Sequence, residues 1–273
     1  MLGQLYRPSG KALEQARAVL ELEDPHAVNV AWGCNIGCGY CYGPRFSRQT
    51  RENWMTIRYP EKEPLELVYR QLTKSSVVDG AEVKGVFISF MTDPYLPQIR
   101  RWTEPLIKYL REEEIRVATS SKLEVSEVPG VRNGMTIVSL DRSFWEMYEP
   151  NAPSPISRLM ELRKAHYEGE YTWASIEPCP CGGIWSQDIR DLLNCLFFVD
   201  FLILGKWNYD PRAGTDEARE DYGRTVATFR DFCKKHGIRH YIKSETLDFI
   251  EGVDKKEVGR ARIDFRRKKV NGL

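Results

Sequence analysis

The sequence predicts an α/β chain folded as a partial (β/α)6-type barrel with peripheral segments at both ends. Three observations carry that expectation. Short runs rich in β-branched and aromatic residues alternate with helical patterns between residues 27 and 243. Most of those runs are nearly continuously apolar, as in strands covered on both faces. The first of them leads straight into a loop of cysteines and glycines, and barrel enzymes build their chemistry at the C-terminal ends of strands. Parallel pairing with right-handed crossovers follows from the alternation. The same alternation also permits a doubly wound open sheet.

Taken in order, residues 1–24 predict a peripheral helix with an acidic end, and residues 25–250 the core domain. The candidate strands are AVNVAW (27–32), GVFISF (85–90), IRVATS (115–120), MTIVSL (135–140), YTWASI (171–176), VDFLIL (199–204) and IRHYIK (238–243). Helical patterns lie between them in PLELVYRQLTKSS, TEPLIKYLREEE, PISRLMELRKAHYEG, DIRDLLNCL and the spacing of 216–236. In TEPLIKYLREEE, Leu106, Ile107 and Leu110 make one apolar face. Gly169 and Gly237 stand where helices should stop, each shortly before a strand. Residues 251–273 are polar and basic: Arg260, Arg262, Arg266, Arg267, Lys268 and Lys269 surround Phe265. Such interleaving suits phosphates, and a solvated tail explains it as well.

Composition bounds the function classes. With 42% hydrophobic and 29% charged residues in 273, the chain can bury a globular core. Forty basic against 39 acidic residues leave no bulk field to attract a nucleic acid or a membrane. The longest apolar run, LFFVDFLIL, is broken by Asp200 and is too short to cross a bilayer. No signal-peptide core opens the chain, so the expected location is the cytoplasm. Seven cysteines, three of them within eight residues, point to metal rather than to a disulfide framework.

Those three lie in WGCNIGCGYCYG, as Cys34, Cys38 and Cys41 in the spacing C-x3-C-x2-C. Three thiolates so spaced can ligate three irons of a [4Fe–4S] cubane and leave the fourth open for a reactant. Structural zinc wants a fourth ligand, and none is obvious nearby. Gly33, Gly37, Gly39 and Gly43 let the loop turn tightly. Several later strands also end in polar residues: Thr92-Asp93 after the second, Ser121-Lys122 after the third, Ser139 in the fourth and Glu177 after the fifth.

The spacing, with Tyr40 directly before the last cysteine, resembles the motif of the radical S-adenosylmethionine (SAM) superfamily. Tyr40-Cys41-Tyr42, the Thr92-Asp93-Pro94-Tyr95 stretch, Thr119-Ser120-Ser121-Lys122 and YEPNAPSPISRLMELRKAHYEG resemble its spore photoproduct lyase branch, over roughly residues 27–207. The resemblance implies that SAM chelates the open iron and is cleaved to a 5′-deoxyadenosyl radical, which takes hydrogen from a substrate. It implies cofactor contacts from Tyr40 near the adenine, from Thr92 and Asp93 near SAM's amino group, and from Ser121, Lys122, Ser139 and Glu177 near its ribose and carboxylate. An electron donor such as ferredoxin or flavodoxin is implied as partner, with a nucleic acid or nucleotide as candidate substrate.

One feature of that branch is missing. Its hydrogen-donating cysteine lies just ahead of the segment matching Thr92-Asp93-Pro94, where this chain has Phe90 and Met91. Cys179 and Cys181, in SIEPCPCGG, are the candidate replacement thiols, and Tyr42 a candidate radical relay. Cys195 and Cys233 sit in apolar helical stretches and read as core. The alternative function is a non-catalytic Fe–S or zinc module that binds nucleic acid or senses redox state.

Overall fold

Seven apolar segments pair as parallel strands in chain order, and that single fact decides between the two architectures the alternation permits. The structure, a computed structural model, describes residues 2–252; the basic segment from residue 253 on lies outside the described residues. The chain opens with β1 (Leu5–Tyr6), α1 (Gly10–Leu20) and β2 (His26–Val28). The short helices α2 (Gly43–Phe46) and α3 (Arg51–Met55) follow the cysteine loop, then α4 (Pro64–Lys74) and a hairpin of β3 (Val77–Val78) and β4 (Ala81–Glu82). Next come β5 (Gly85–Ile88), α5 (Arg100–Glu112), β6 (Arg116–Ser121), β7 (Arg132–Thr136), α6 (Arg142–Tyr148) and α7 (Pro155–Tyr167). The last third holds β8 (Thr172–Cys179), α8 (Ile189–Cys195), β9 (Phe201–Lys206), α9 (Asp216–His236), β10 (Arg239–Ile242) and α10 (Ser244–Glu251).

The main sheet runs β1-β2-β5-β6-β7-β8-β9-β10, with only β1 antiparallel to its neighbour. A doubly wound sheet reverses its strand order at a switch point. This one never does, so its crossovers fall on one face and the sheet curls around the other. The edges β1 and β10 do not pair, and the barrel stays open.

Side-chain alternation sorts the core accordingly. Outward-facing Val86, Ile88 and Val117 pack with Val68 of α4 and with Leu106, Ile107 and Leu110 of α5. Ala174, Ile176, Leu202 and Leu204 pack with Leu192 and Leu193 of α8 and with Val226 and Phe229 of α9. The interior is separate: Ala27, Phe87, Ala118, Trp173 and Ile203 meet Ala16, Val19 and Leu20 of α1. Helix α1 is also tied to the far edge. Glu14 accepts from Tyr241 Oη at 2.6 Å and Ser244 Oγ at 2.9 Å, Gln15 accepts from Lys243 Nζ at 2.8 Å, and Lys11 pairs with Glu245 at 2.5 Å.

The fourth parallel strand begins earlier than expected, at Arg132 rather than Met135. It carries Asn133-Gly134, a dipeptide that reads as a turn. Here Gly134 is needed inside the strand, because a Cβ would lie 2.0 Å from the Trp173 indole that fills the interior. Among the described residues no helix is long and apolar enough to cross a membrane.

Candidate active site at the cysteine loop

Backbone hydrogen bonds fix the cysteine loop before any ligand is considered. Trp32 pairs with Arg58 as an isolated antiparallel bridge (N···O 3.0 and 2.8 Å). Gly33 then turns with φ +98°, and a Cβ there would stand 2.6 Å from Thr56 O and 2.7 Å from Trp54 O. No other residue fits that approach. Its N–H donates to Met91 O at 3.1 Å, and the Cys34 N–H donates to Trp54 O at 3.0 Å. Further on, the Cys41 N–H donates to Cys38 O at 3.1 Å. Arg51 donates to Cys38 O at 2.9 Å and also to Gly39 O, so α3 grips the middle of the loop.

All three loop thiols are free, with Cys38 buried and Cys34 and Cys41 partly so. Backbone amides point at the sulfurs: Gly43 N–H at Cys41 Sγ (3.4 Å), and those of Ile36 and Asp93 at Cys34. Burial pushes the Cys34 thiol up to about 12, with the Asp93 charge adding to it. Burial likewise lifts Cys38 to about 11, against the Lys122 ammonium. Three thiols, two of them with amides aimed at sulfur, fit a thiolate-ligated cluster, whose ligands such donors orient and tune. Among the described residues no three His, Cys, Asp or Glu side chains lie close enough to share one ion. A cubane does not ask that of them, since each thiolate takes its own iron.

The thiols open into a cavity of ≈ 720 Å³ inside the sheet's C-terminal end. Tyr40, Tyr42, Thr92, Asp93, Ser121, Lys122 and Glu177 line it with them. Asp93 is largely occupied within the protein. One carboxylate oxygen accepts from Ser121 Oγ (2.8 Å) and Tyr95 N–H (3.0 Å), the other from Lys122 N–H (2.7 Å). It braces the β5 loop on the end of β6, and burial raises its pKa despite those donors. Thr92 is different, for its buried Oγ1 has no partner. Lys122 places Nζ 5.3 Å from the Tyr40 ring centre. Burial would lower that ammonium, but the Cys38 and Glu149 charges raise it overall. Tyr42, 43% exposed, donates its hydroxyl to Phe90 O.

Three expected residues stand elsewhere. Ser139 is buried off the cavity, its Oγ accepting from Asp141 N–H at 3.2 Å where α6 begins. Cys179 and Cys181, expected as substrate-facing thiols, are 2% and 1% exposed and pack into two different apolar clusters. The reason is a bulge. Strand β8 continues to Cys179, and its register shifts between Ile176 and Cys179. That shift turns Cys179 to the outer side of Ala174 and Ile176 instead of the inner side of Ser175 and Glu177.

The structure adds groups that sequence reasoning missed. The Tyr40 hydroxyl donates to Glu149, which forms a fully buried ion pair with Arg158; Arg158 also donates to Thr136 O at 2.6 Å. Asn29 Oδ1 accepts from Phe90 N–H (2.9 Å) and Met91 N–H (3.2 Å), shaping the β5 loop. On the cavity wall beside α1, Lys243 lies 3.2 Å from Glu177, and Glu245 accepts from Asn208 at 3.2 Å. A Glu and an Arg nine residues apart, separated by Pro153 and Pro155, were the only signal for the first pair.

No family model matches the sequence. The uncharacterized protein ORF301 of Acidianus two-tailed virus is 28% identical over 194 residues, which are 64% of this chain and 63% of that protein. The chain thus spans a little under two thirds of the curated relative it matches. Among solved structures, spore photoproduct lyase complexed with dinucleoside spore photoproduct superposes with TM-score 0.57 at 16% identity, over 80% of this chain and 76% of that one. A variant of the lyase with bound AdoMet and the same dinucleoside gives TM-score 0.58, also at 16% identity over 80% and 76% of the two chains. Streptococcus suis SuiB gives TM-score 0.57 at 11% identity, over 86% of this chain and 53% of its own. By its fold, then, this chain is a partial barrel of the spore photoproduct lyase type.

Proposed function

We propose that the chain is a radical SAM enzyme, holding a [4Fe–4S] cluster on Cys34, Cys38 and Cys41 and SAM in the adjoining cavity. The observation that carries this reading is the convergence of those thiols with Thr92, Lys122 and Glu177 on one cavity at the strand ends. A structural metal site would need none of those polar neighbours. Bound together, cluster and SAM supply one-electron cleavage of the sulfonium S–C5′ bond and abstraction of a hydrogen atom.

The chain's own groups supply orientation. Tyr40, held by Glu149, offers its ring to the adenine. The orphan hydroxyl of Thr92 takes a polar group of the methionyl moiety, and the Lys122 ammonium its carboxylate. Asp93 keeps the two loops that carry them in register. Glu177, paired with Lys243, faces the ribose. Phe87, Phe90 and Trp32 line the cavity and keep water from the reacting atoms.

Apart from the three loop cysteines, no thiol lines this cavity among the described residues. We therefore assign a reaction that returns hydrogen without a cysteine, through Tyr42 or from 5′-deoxyadenosine itself, rather than thiol-quenched repair. A cytoplasmic nucleic acid or nucleotide is the proposed substrate, with ferredoxin or flavodoxin as electron donor. Anaerobically reconstituted protein should bind about four irons per chain and form 5′-deoxyadenosine from SAM under dithionite, and Cys41→Ala should lose both. Zinc at the loop with no affinity for SAM would overturn the reading in favour of a binding module.

A further inference from the structure

On the proposed reading, electrons must reach the loop from outside while SAM and substrate occupy the cavity. Beside the cavity mouth, where Phe46 and Trp54 contribute to the lining, the loop is flanked by α2, α3 and the segment to Tyr59, with Tyr148 and Asn151 against its middle. Arg45, Arg48, Arg51 and Arg58 in that stretch are all exposed, against Glu52 as its one acid. Elsewhere exposed arginines pair with carboxylates, as in Arg70–Glu66, Arg142–Glu146, Arg190–Asp188 and Arg212–Asp210. None of these four forms an ion pair among the described residues. Arg45 stacks on Tyr209 (5.0 Å to the ring centre), Arg51 donates to the carbonyls of Cys38 and Gly39, and Arg58 lies against the Gln49 side-chain amide at 3.0 and 3.1 Å.

Exposed apolar groups interleave with this charge: Phe46 at 67%, Tyr59 at 47% and Met55 at 39%. Aromatic residues, Met and Arg together are what protein interfaces enrich. An unpaired positive field steers an acidic partner and sets its orientation. Arg51, itself exposed, joins that surface directly to the backbone of Cys38 and Gly39.

We propose that the exposed face of α2–α3, with Arg45, Arg48, Arg51 and Arg58 around Phe46, Met55 and Tyr59, is the docking surface for a small acidic one-electron donor protein. The docked donor gives up one electron and the cluster gains one, with no proton or group transferred. The inference rests on the proposed radical SAM reading, and the experiment separates the two.

The probe is an acidic flavodoxin, reduced by its NADPH-dependent reductase, and the variant is Arg48→Glu/Arg58→Glu. Neither side chain lines the cavity or donates to the cysteine loop; Arg58 meets Trp32 through its backbone alone, which the substitution keeps. Flavodoxin binding to apo protein at low salt should weaken about tenfold or more, and flavodoxin-driven bleaching of the reconstituted cluster should slow by a similar factor. Dithionite-driven 5′-deoxyadenosine formation should stay at the wild-type level. A control, Arg224→Glu/Lys235→Glu on α9, should change neither. Unchanged flavodoxin binding and reduction in the first variant would overturn the docking proposal. So would a patch that captures a single-stranded oligonucleotide in a charge-dependent way while flavodoxin still reduces the cluster normally. If charge reversal also costs iron content, Arg48→Gln/Arg58→Gln decides by the same two readouts. Wild-type protein that makes no 5′-deoxyadenosine under dithionite sinks the enzyme reading instead, and leaves the apo binding measurement standing.

Discussion

Replacing Arg158 by Met removes one half of a buried ion pair and leaves the other half charged. The Arg158 and Glu149 side chains are 0% and 1% exposed, so water cannot enter to solvate the remaining carboxylate. Stranding a buried charge in this way costs about 3–5 kcal/mol. An unfolding entropy of roughly 2.1 cal/mol/K per residue over 273 residues turns about 4 kcal/mol into a fall in Tm of about 7 °C. Glu149→Met should cost as much, since it strands the guanidinium and also removes the acceptor of the Tyr40 hydroxyl. The double variant carries no stranded charge. Its remaining losses are the partners of the Tyr40 hydroxyl and the Thr136 carbonyl, about 1–3 kcal/mol each. It should therefore be about as stable as either single variant, well short of the summed loss of about 6–10 kcal/mol. Urea unfolding of the apo protein, followed by tryptophan fluorescence under anaerobic reducing conditions, measures all three. Additive losses, or a single variant within about 1 kcal/mol of wild type, would refute the assignment of this pair as a coupled support for Tyr40.

Gly33→Ala should drive a Cβ into two carbonyl oxygens from a positive φ and destabilise the loop by about 1–3 kcal/mol, read as a lower Tm and less iron per chain after reconstitution. An alanine variant that takes up iron normally would show that the loop can relax. Glu104 lies within 3.2 and 3.3 Å of Ser126 Oγ, and burial, only partly offset by that hydroxyl, raises its carboxyl above the ordinary 4.5. The folded chain thus keeps this proton to higher pH than the unfolded chain does. Its contribution is full below about pH 4.5 and lost as pH rises through the folded value. The urea midpoint of wild type relative to Glu104→Gln should accordingly fall between pH 4 and 7, and a difference that grows with pH contradicts the sign. Lys243→Met should leave Glu177 unpaired on the cavity wall and weaken SAM binding to reconstituted protein, as measured by equilibrium dialysis; unchanged affinity would remove Glu177 from the cofactor's surroundings.

Local signals carried most of the architecture. The strand runs around Phe87, Ala118, Ala174 and Leu202 were readable because apolar density survives without any knowledge of partners. The hairpin at Asp79-Gly80 went unread, although both residues take positive φ (47° and 81°) in the two-residue turn that Asp-Gly favours. Strand β7 was displaced in the reading because Asn133-Gly134 imitates a turn, and the reason for that glycine is a Trp on the next strand. The cysteines announce themselves by spacing. Cys179 misled because one residue of bulge reverses which face a strand side chain takes, and no local pattern marks the bulge. Lys243 and Glu177 were invisible as a pair, being 66 residues apart and joined only by the curl of the sheet.

The ties between α1 and the last strand also set an order of events. Lys11, Glu14 and Gln15 find their partners 227 to 234 residues later in the chain. Contacts so distant form late, after nearer ones have shortened the loop that must be closed. During synthesis the cysteine loop leaves the ribosome long before Tyr241, Lys243 and Glu245 exist to complete the wall opposite it. For most of that time its thiols face solvent through an unfinished side. If the loop holds the proposed cluster, the seam acts as a clock: delivery of iron and sulfide would have its widest opening before the two ends of the barrel meet.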